Sequence, residues 1–236
     1  MNFVWIVTLC ATSNVFLYHT RKAGGTSLRH WLEQANIKHT VMEGYNLDRI
    51  KNETWITSIR DPIERLWSSF KYEGRWVLKE HLFNNSGVSF NEWHQKTSNP
   101  ICCRFTWQCS RNCYVRWFSG CVAGKIDNAW GAAVSNLKKF DIIINISRLK
   151  HKIYHEKVMA CLNTTTPIKH KLPWMGSQAA IANKKWPLRR PDFTAIAKEN
   201  ALDYALLAPY WNNDPCKPSL LLLSRQRNCS VRSCWP

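Results

Sequence analysis

The 236-residue chain reads as an α/β protein built on a parallel sheet. Three short apolar runs, "VFLYH" (15–19), "TWITSI" (54–59) and "DIIINI" (141–146), have strand character. Each is followed by a stretch with apolar residues at helical spacing, and strands alternating with helices imply crossover connections and parallel pairing. An apolar content of 45% with thirteen tryptophans supplies enough material for a packed core and excludes a disordered chain.

The elements follow in order. After 15–19, Gly24-Gly25 forms a turn, and Thr26 or Ser27 is placed to cap a helix running to about Ala35 with Leu28, Trp31 and Leu32 on one face. "TVMEGYNL" (40–47) reads as a short extended segment and turn. The strand at 54–59 ends at Arg60-Asp61-Pro62, and Pro62 suits the first turn of a helix that carries Ile63, Leu66, Trp67 and Phe70 inward. Residues 73–125 are irregular and rich in Trp and Cys. Helical patterns cover 128–140, 149–162 and 193–211, with a Pro- and Lys-containing surface loop at 163–190. No internal repeat is present. The expected organisation is a segment 1–14 that is either a signal or anchor remnant or an edge strand, a domain over 15–214, and a Cys/Pro-containing tail over 215–236.

Charge narrows the partner. Thirty-three Lys and Arg against sixteen Asp and Glu give a net +17, which favours an anionic ligand such as a nucleotide or a polyanionic glycan. No zinc-finger, helix-turn-helix or RNA-binding pattern is present, which disfavours nucleic acid. The ten cysteines include five within Cys102 to Cys121. They lack the paired Cys-x-x-Cys spacing of a metal site, so disulfides in a secretory compartment are expected and no metal is expected. Sequons begin at Asn52, Asn84, Asn145, Asn163 and Asn228, of which Asn145 falls in a run expected to be buried. The apolar stretch "FVWIVTLCA" covers nine residues. That is too short to span a bilayer, although membrane association through an N-terminal anchor would be compatible with it.

The most informative segment is "YHTRKAGGTSL". A strand, a glycine turn and a helix N-terminus present backbone N–H groups and a positive dipole end to an anion. Lys22 reaches the same place, and Thr26 and Ser27 add hydroxyls. The order of residues is not that of a Walker A loop, where Lys follows the second glycine; here Lys22 precedes both glycines. Magnesium-dependent NTP chemistry is therefore disfavoured. A second anion site is expected at "SIRDPIERLWSSF", where Arg60 ends a strand and Ser68 follows eight residues later.

With these residues in view, the chain resembles the sulfotransferases that use PAPS (3′-phosphoadenosine 5′-phosphosulfate). "HTRKAGGTSL" is similar to their phosphosulfate loop "HIPKTGGTSL", and "IRDPIERLWSSF" to their 3′-phosphate motif. "NCYVRWFSG" (112–120), "LKKFDIIINISRLK" and "ENALDYALLAPYW" resemble segments of the carbohydrate O-sulfotransferase branch, in the same order along the chain. The resemblance implies a P-loop-like three-layer fold, a central parallel sheet flanked by helices. It also implies PAPS as donor with PAP as product, no metal requirement, a carbohydrate acceptor that the basic surface suggests is an anionic glycan, and the Golgi lumen or membrane as location. By the same resemblance Arg21, Lys22, Ala23, Gly24, Gly25, Thr26 and Ser27 cradle the 5′-phosphosulfate, Arg60 and Ser68 hold the 3′-phosphate, and Arg116 helps close the donor pocket. Arg21 stands where Pro is usual, and Ser147 where a Glu is common.

Sulfuryl transfer needs a cation near the leaving oxygen, a role that suits Lys22, and a base near the acceptor hydroxyl. Relatives draw that base from the segment between the two donor motifs. Glu43 is the first choice there and His39 the second; Glu33, Asp48, Glu53 and His30 are weaker. His19 is expected to orient the loop, and Trp76, Trp107 and Trp117 either stack on sugar rings or pack in the core. Two other readings fit parts of the pattern. A P-loop kinase predicts dependence on ATP and magnesium. A non-catalytic polyanion-binding module predicts glycan binding that survives loss of Lys22.

Overall fold

The computed structural model describes residues 14–43, 47, 53–71, 89–97, 109–120, 126–168 and 191–216. The expectations for 1–13, for Asp48, Trp76 and Trp107, for most of the 163–190 loop and for the tail beyond 216 lie outside the described residues.

Four parallel strands form one sheet: β1 (Asn14–Tyr18), β2 (His39–Met42), β3 (Glu53–Ile59) and β4 (Ile142–Asn145), in the order β2-β1-β3-β4. The α/β expectation with a central parallel sheet holds, and "HTVM" adds a strand where an extended segment was expected. Register runs from Val15 opposite His39 to Tyr18 opposite Met42, and from Asn14 opposite Glu53 to Tyr18 opposite Thr57. β4 pairs with β3 from Ile56 opposite Ile142 to Ile59 opposite Asn145. Its start is locked by a reciprocal pair, Trp55 N–H to the Asp141 carboxylate at 2.8 Å and Asp141 N–H to the Trp55 carbonyl at 2.9 Å.

Alternation along the strands builds two cores. Val15, Leu17, Ile56, Ile142 and Ile144 face α1 (Gly25–Gln34) and α6 (Lys152–Cys161), whose Leu28, Trp31, Leu32, Tyr154 and Val158 are buried against them. Phe16, Tyr18, Trp55, Ile59 and Ile143 face the other way. There they meet α4 (Cys113–Phe118), α5 (Ile126–Leu137) and α8 (Ala201–Leu207). Phe16 stacks on Trp55 with ring centroids 4.4 Å apart. Because both faces are covered, the strands read as continuous apolar runs. A third cluster joins α2 (Pro62–Ser69), α3 (Phe90–Thr97) and α7 (Thr194–Glu199) through Leu66, Phe70, Phe90, Trp93 and Ile196. Of the expected inward face of α2, Ile63, Leu66 and Phe70 are buried and Trp67 packs at the margin.

Several sequence-based boundaries are corrected. The cap of α1 is Gly24, in the left-handed region at φ 84°, so Thr26 and Ser27 lie inside the first turn and cap nothing. The helix expected over 193–211 is broken at Asn200 into α7, α8 and a short 3₁₀ turn, Ala208–Tyr210. The irregular middle contains two helices, α3 and α4.

The break at Asn200 has a physical cause. Asn112 N–H donates to the Asn200 side chain at 2.9 Å, and Val115 N–H donates to the Asp203 carboxylate at 2.9 Å. In return Asp203 N–H donates to the Asn112 side chain at 3.3 Å. Each helix start is thus capped by the other, across 88 to 91 residues of sequence. Burial pushes the Asp203 carboxyl up to about 6, against the opposing pull of these N–H donors and the Arg65 guanidinium. Arg65 is itself fully buried, 4.8 Å from the Trp117 ring, and donates to the Cys109 carbonyl at 3.3 Å. Cys109 and Cys113 lie at disulfide distance, as do Cys161 and Cys216.

Asp203 holds its proton more tightly folded than unfolded, so its contribution to stability falls as pH rises from about 4 to about 6. Urea unfolding across that window will show this falling component in the wild-type chain. It will be absent from Asp203→Asn, whose stability relative to wild type therefore improves as pH rises.

Candidate functional site

All four strands are parallel, so every loop that follows a strand opens at the same edge. The chain leaves β1 toward β2 on one side and leaves β3 toward β4 on the other. The carboxyl ends of β1 and β3 therefore flank the topological switch point, where open α/β sheets form their ligand crevice. The Lys22 loop follows β1, Glu43 follows β2, Arg60 follows β3 and Ser147 follows β4.

The loop at Lys22 is tightly specified. Thr57 Oγ1 donates to the Tyr18 carbonyl at 3.1 Å, so its contact with Thr20 Oγ1 at 3.0 Å takes the proton of Thr20. This buried pair pins the loop to β3. Lys22 (φ 59°) and Gly24 (φ 84°) both adopt left-handed backbone, and Ala23 between them is buried. The glycines answer to internal packing. A Cβ on Gly24 would sit 2.8 Å from Ile146 Cδ1, and one on Gly25 would collide with the His19 ring. The α1 N-terminus has no side-chain cap and no acidic residue in its first turn. With Lys22, Thr26 and Ser27 beside it, this start has the donors and the charge to fit an anion.

The second anion segment is built differently. The start of α2 is already satisfied: Asp61 accepts from Glu64 N–H at 2.9 Å and from the Tyr204 hydroxyl at 3.1 Å. Arg60 and Ser68 must then hold an anion by their side chains. The Arg60 guanidinium lies 3.6 Å from Glu64, and Glu64 and Ser68 share a face of α2 at i, i+4. Glu64 thus sits between the two proposed phosphate ligands and competes for Arg60. The Arg60 backbone N–H donates to the buried Tyr114 hydroxyl at 2.9 Å, which holds α4 against the end of β3.

Glu43 lies against the Lys22 loop. His19 Nδ1 pairs with its Oε1, and Arg21 lies 3.4 Å from its Oε2. The bond from His19 leads in holding the Glu43 carboxyl below its ordinary value, with the charges of His19, Arg21 and Arg29 adding to it against partial burial. A carboxylate so held is ionised and able to accept a proton.

His39 and Arg116 make local contacts with backbone carbonyls. His39 opens β2 opposite Val15, at the amino end of the sheet, with Nδ1 on the Ile37 carbonyl at 2.8 Å. Three residues of strand, about 10 Å, separate it from the level of the loop, which removes it as the base. Arg116 directs Nε to the Arg111 carbonyl at 3.2 Å, at the start of its own helix. It stands two residues, about 200° of helix, from Tyr114, so Tyr114 is the α4 residue that meets Arg60. Of the weaker base candidates, Glu33 and His30 pair with each other at 2.8 Å on the outside of α1, and Glu53 begins β3. Trp117 packs in the core under Arg65.

Sequence reasoning missed Tyr114, Arg65, Glu64 as a competitor and the Asn200–Asp203 cap. The spacing "NALD", a cap residue three before an acid, was the available signal for the last. Among the described residues one group has metal-ligand composition, Cys161, Asp214 and Cys216, with ligand atoms within 4.8 Å of one another. The disulfide distance between its two sulfurs accounts for that proximity. No helix among the described residues is long and apolar enough to cross a membrane. Comparison with protein families, with curated proteins and with solved structures found no match to this chain.

Gly25→Ala will destabilise the fold by about 1–3 kcal/mol through overpacking. Removing the ring with His19→Ala will recover part of that loss. A double-mutant cycle read by denaturant unfolding checks it, with a coupling of about 1 kcal/mol or more expected for residues in contact.

Proposed function

We propose that the chain is a PAPS-dependent O-sulfotransferase of P-loop-like architecture. It transfers a sulfuryl group to a carbohydrate hydroxyl, with an anionic glycan in the secretory pathway as acceptor. The observation that carries this reading is the placement of the two anion-binding segments. The loop at 21–27 and the pair Arg60 and Ser68 follow adjacent parallel strands, on either side of the topological switch point. A nucleotide with phosphates at both ends suits that spacing, and the net charge of +17 suits an acidic acceptor. The cysteine pairs at disulfide distance are compatible with a secreted protein.

In this reading the donor supplies the sulfuryl group. Lys22 and the N–H groups at the start of α1 hold the phosphosulfate end and stabilise the charge that builds on the leaving phosphate oxygen. Arg60 and Ser68 hold the other end. Glu43, ionised and 42% exposed, takes the proton of the attacking hydroxyl. The new bond forms between that oxygen and sulfur as the bond from sulfur to the phosphate oxygen breaks, its electron pair staying with the phosphate.

Calorimetric titration with PAP, with ATP plus magnesium in parallel, tests the donor site. Micromolar PAP binding without metal is expected; a folded chain that binds no PAP refutes the assignment. Arg60→Ala will weaken PAP binding by about 1.5–3 kcal/mol, the scale of hydrogen bonds to a charged group. Glu64→Gln will tighten it by about 0.2–1 kcal/mol, because the surface ion pair no longer competes for Arg60. With PAPS and a sulfated glycan, Glu43→Gln will lower turnover by about 10²-fold or more while leaving PAP affinity intact.

A further inference from the structure

His19 is among the least exposed of the groups around the loop, with 10% of its side chain exposed. It follows the last residue of β1, and its N–H donates to the Met42 carbonyl at 2.9 Å, which sets it beside Glu43 at the end of β2. The ring is wedged between two elements. Nδ1 meets Glu43 Oε1, while the edge carrying Cδ2 and Nε2 occupies the space that a side chain on Gly25 would need. Nε2 therefore faces the start of α1 and is not presented to an acceptor. This assigns different roles to the two partners. The half-exposed carboxylate is the group that can reach a hydroxyl, and the more enclosed imidazole is the group that holds it.

We infer that His19 is the positioning residue of Glu43: its Nδ1 fixes Oε1 at the mouth of the Lys22 loop, while Oε2 accepts from Arg21 at 3.4 Å, so the two contacts together set how the half-exposed carboxylate meets an acceptor. The inference rests on the sulfotransferase reading for its catalytic meaning. The pairing itself stands on the close approach of Nδ1 to Oε1. Gly25 acquires a definite function in this arrangement, since only glycine leaves room for the ring that aims the base. The loop that holds the donor and the carboxylate that serves the acceptor are joined through one imidazole.

Among the described residues, the groups facing Glu43 are His19 from the end of β1, Arg21 from the loop and Arg29 from α1. Loss of the His19 bond removes the largest influence that lowers the carboxyl, so its midpoint rises toward the ordinary carboxylate range.

The test compares His19→Leu, which cannot donate, with His19→Asn, whose amide nitrogen stands close to where Nδ1 was. The Glu43 carboxyl is followed by carbon NMR titration, and kcat is measured against pH at saturating PAPS. In His19→Leu the Glu43 midpoint is expected to rise and the acid limb of kcat to move to higher pH. Turnover there falls roughly ten- to a hundred-fold, the scale of a misplaced reacting group. His19→Asn is expected to restore most of each. An unchanged Glu43 midpoint in folded His19→Leu overturns the pairing, and equal behaviour of the Leu and Asn variants overturns the positioning role. Should His19→Leu fail to fold, nitrogen NMR of the intact chain decides: Nδ1 protonated in wild type and released in Glu43→Ala supports the pairing, and an unaltered tautomer refutes it. A wild-type chain that binds PAP poorly and turns over no acceptor refutes the sulfotransferase reading instead, while the carboxyl titration still decides the pairing.

Discussion

The pairing of β1 with β3 organises the rest of the molecule. These strands are distant in sequence and parallel, so their carboxyl ends emerge side by side. The buried Thr20–Thr57 contact then ties the loop after one to the end of the other. Hydrogen bonds at that depth are costly to leave unmade, which gives the loop a single conformation. Everything chemically notable follows from that edge. Were the strands antiparallel, Lys22 and Arg60 would lie at opposite ends of the sheet.

A second constraint holds the far wall. The exchange of caps between Asn112 and the Asn200–Asp203 pair fixes α4 against α8, and α4 in turn presents Tyr114 to the Arg60 backbone. Arg65 lies beneath, buried between an aromatic ring and a backbone carbonyl. Buried charges of this kind contribute little net stability, and removing one partner alone is expensive. Their value here is geometric, since a small shift of α4 would move the end of β3.

Much of this was legible in the sequence because apolar periodicity reports burial. The three apolar runs became central strands, and Leu28, Trp31 and Leu32 fell on the buried face of α1 as their spacing required. Asn145, in a run expected to be buried, is 1% exposed and bonds to Ser147 N–H and the Trp211 carbonyl. What the pattern could not carry was long-range polar pairing. The 193–211 segment has unbroken helical periodicity, and only a partner some ninety residues upstream breaks it at Asn200. Glu43 ranked ahead of His39 as a base on its turn alone, and parallel register sets the two at opposite ends of one short strand. Arg116 was matched by motif, and the same short helix also brings Tyr114 to the Arg60 backbone, which no motif marked. Arg65 shows the converse case: a charged residue in an amphipathic helix reads as solvated, and a turn whose cysteines, Cys109 and Cys113, lie at disulfide distance encloses it together with two aromatic rings.

The space beside the two glycines of the loop is taken by Ile146 and by the His19 ring. Their smallness is demanded by neighbours inside the protein, whatever lies outside it. A chain that kept this packing would be held to both glycines whether or not the loop bound a ligand, because a side chain at either position meets a neighbour inside the protein. The glycine pair therefore reports the architecture of the loop, and taken alone it says nothing of what the loop binds.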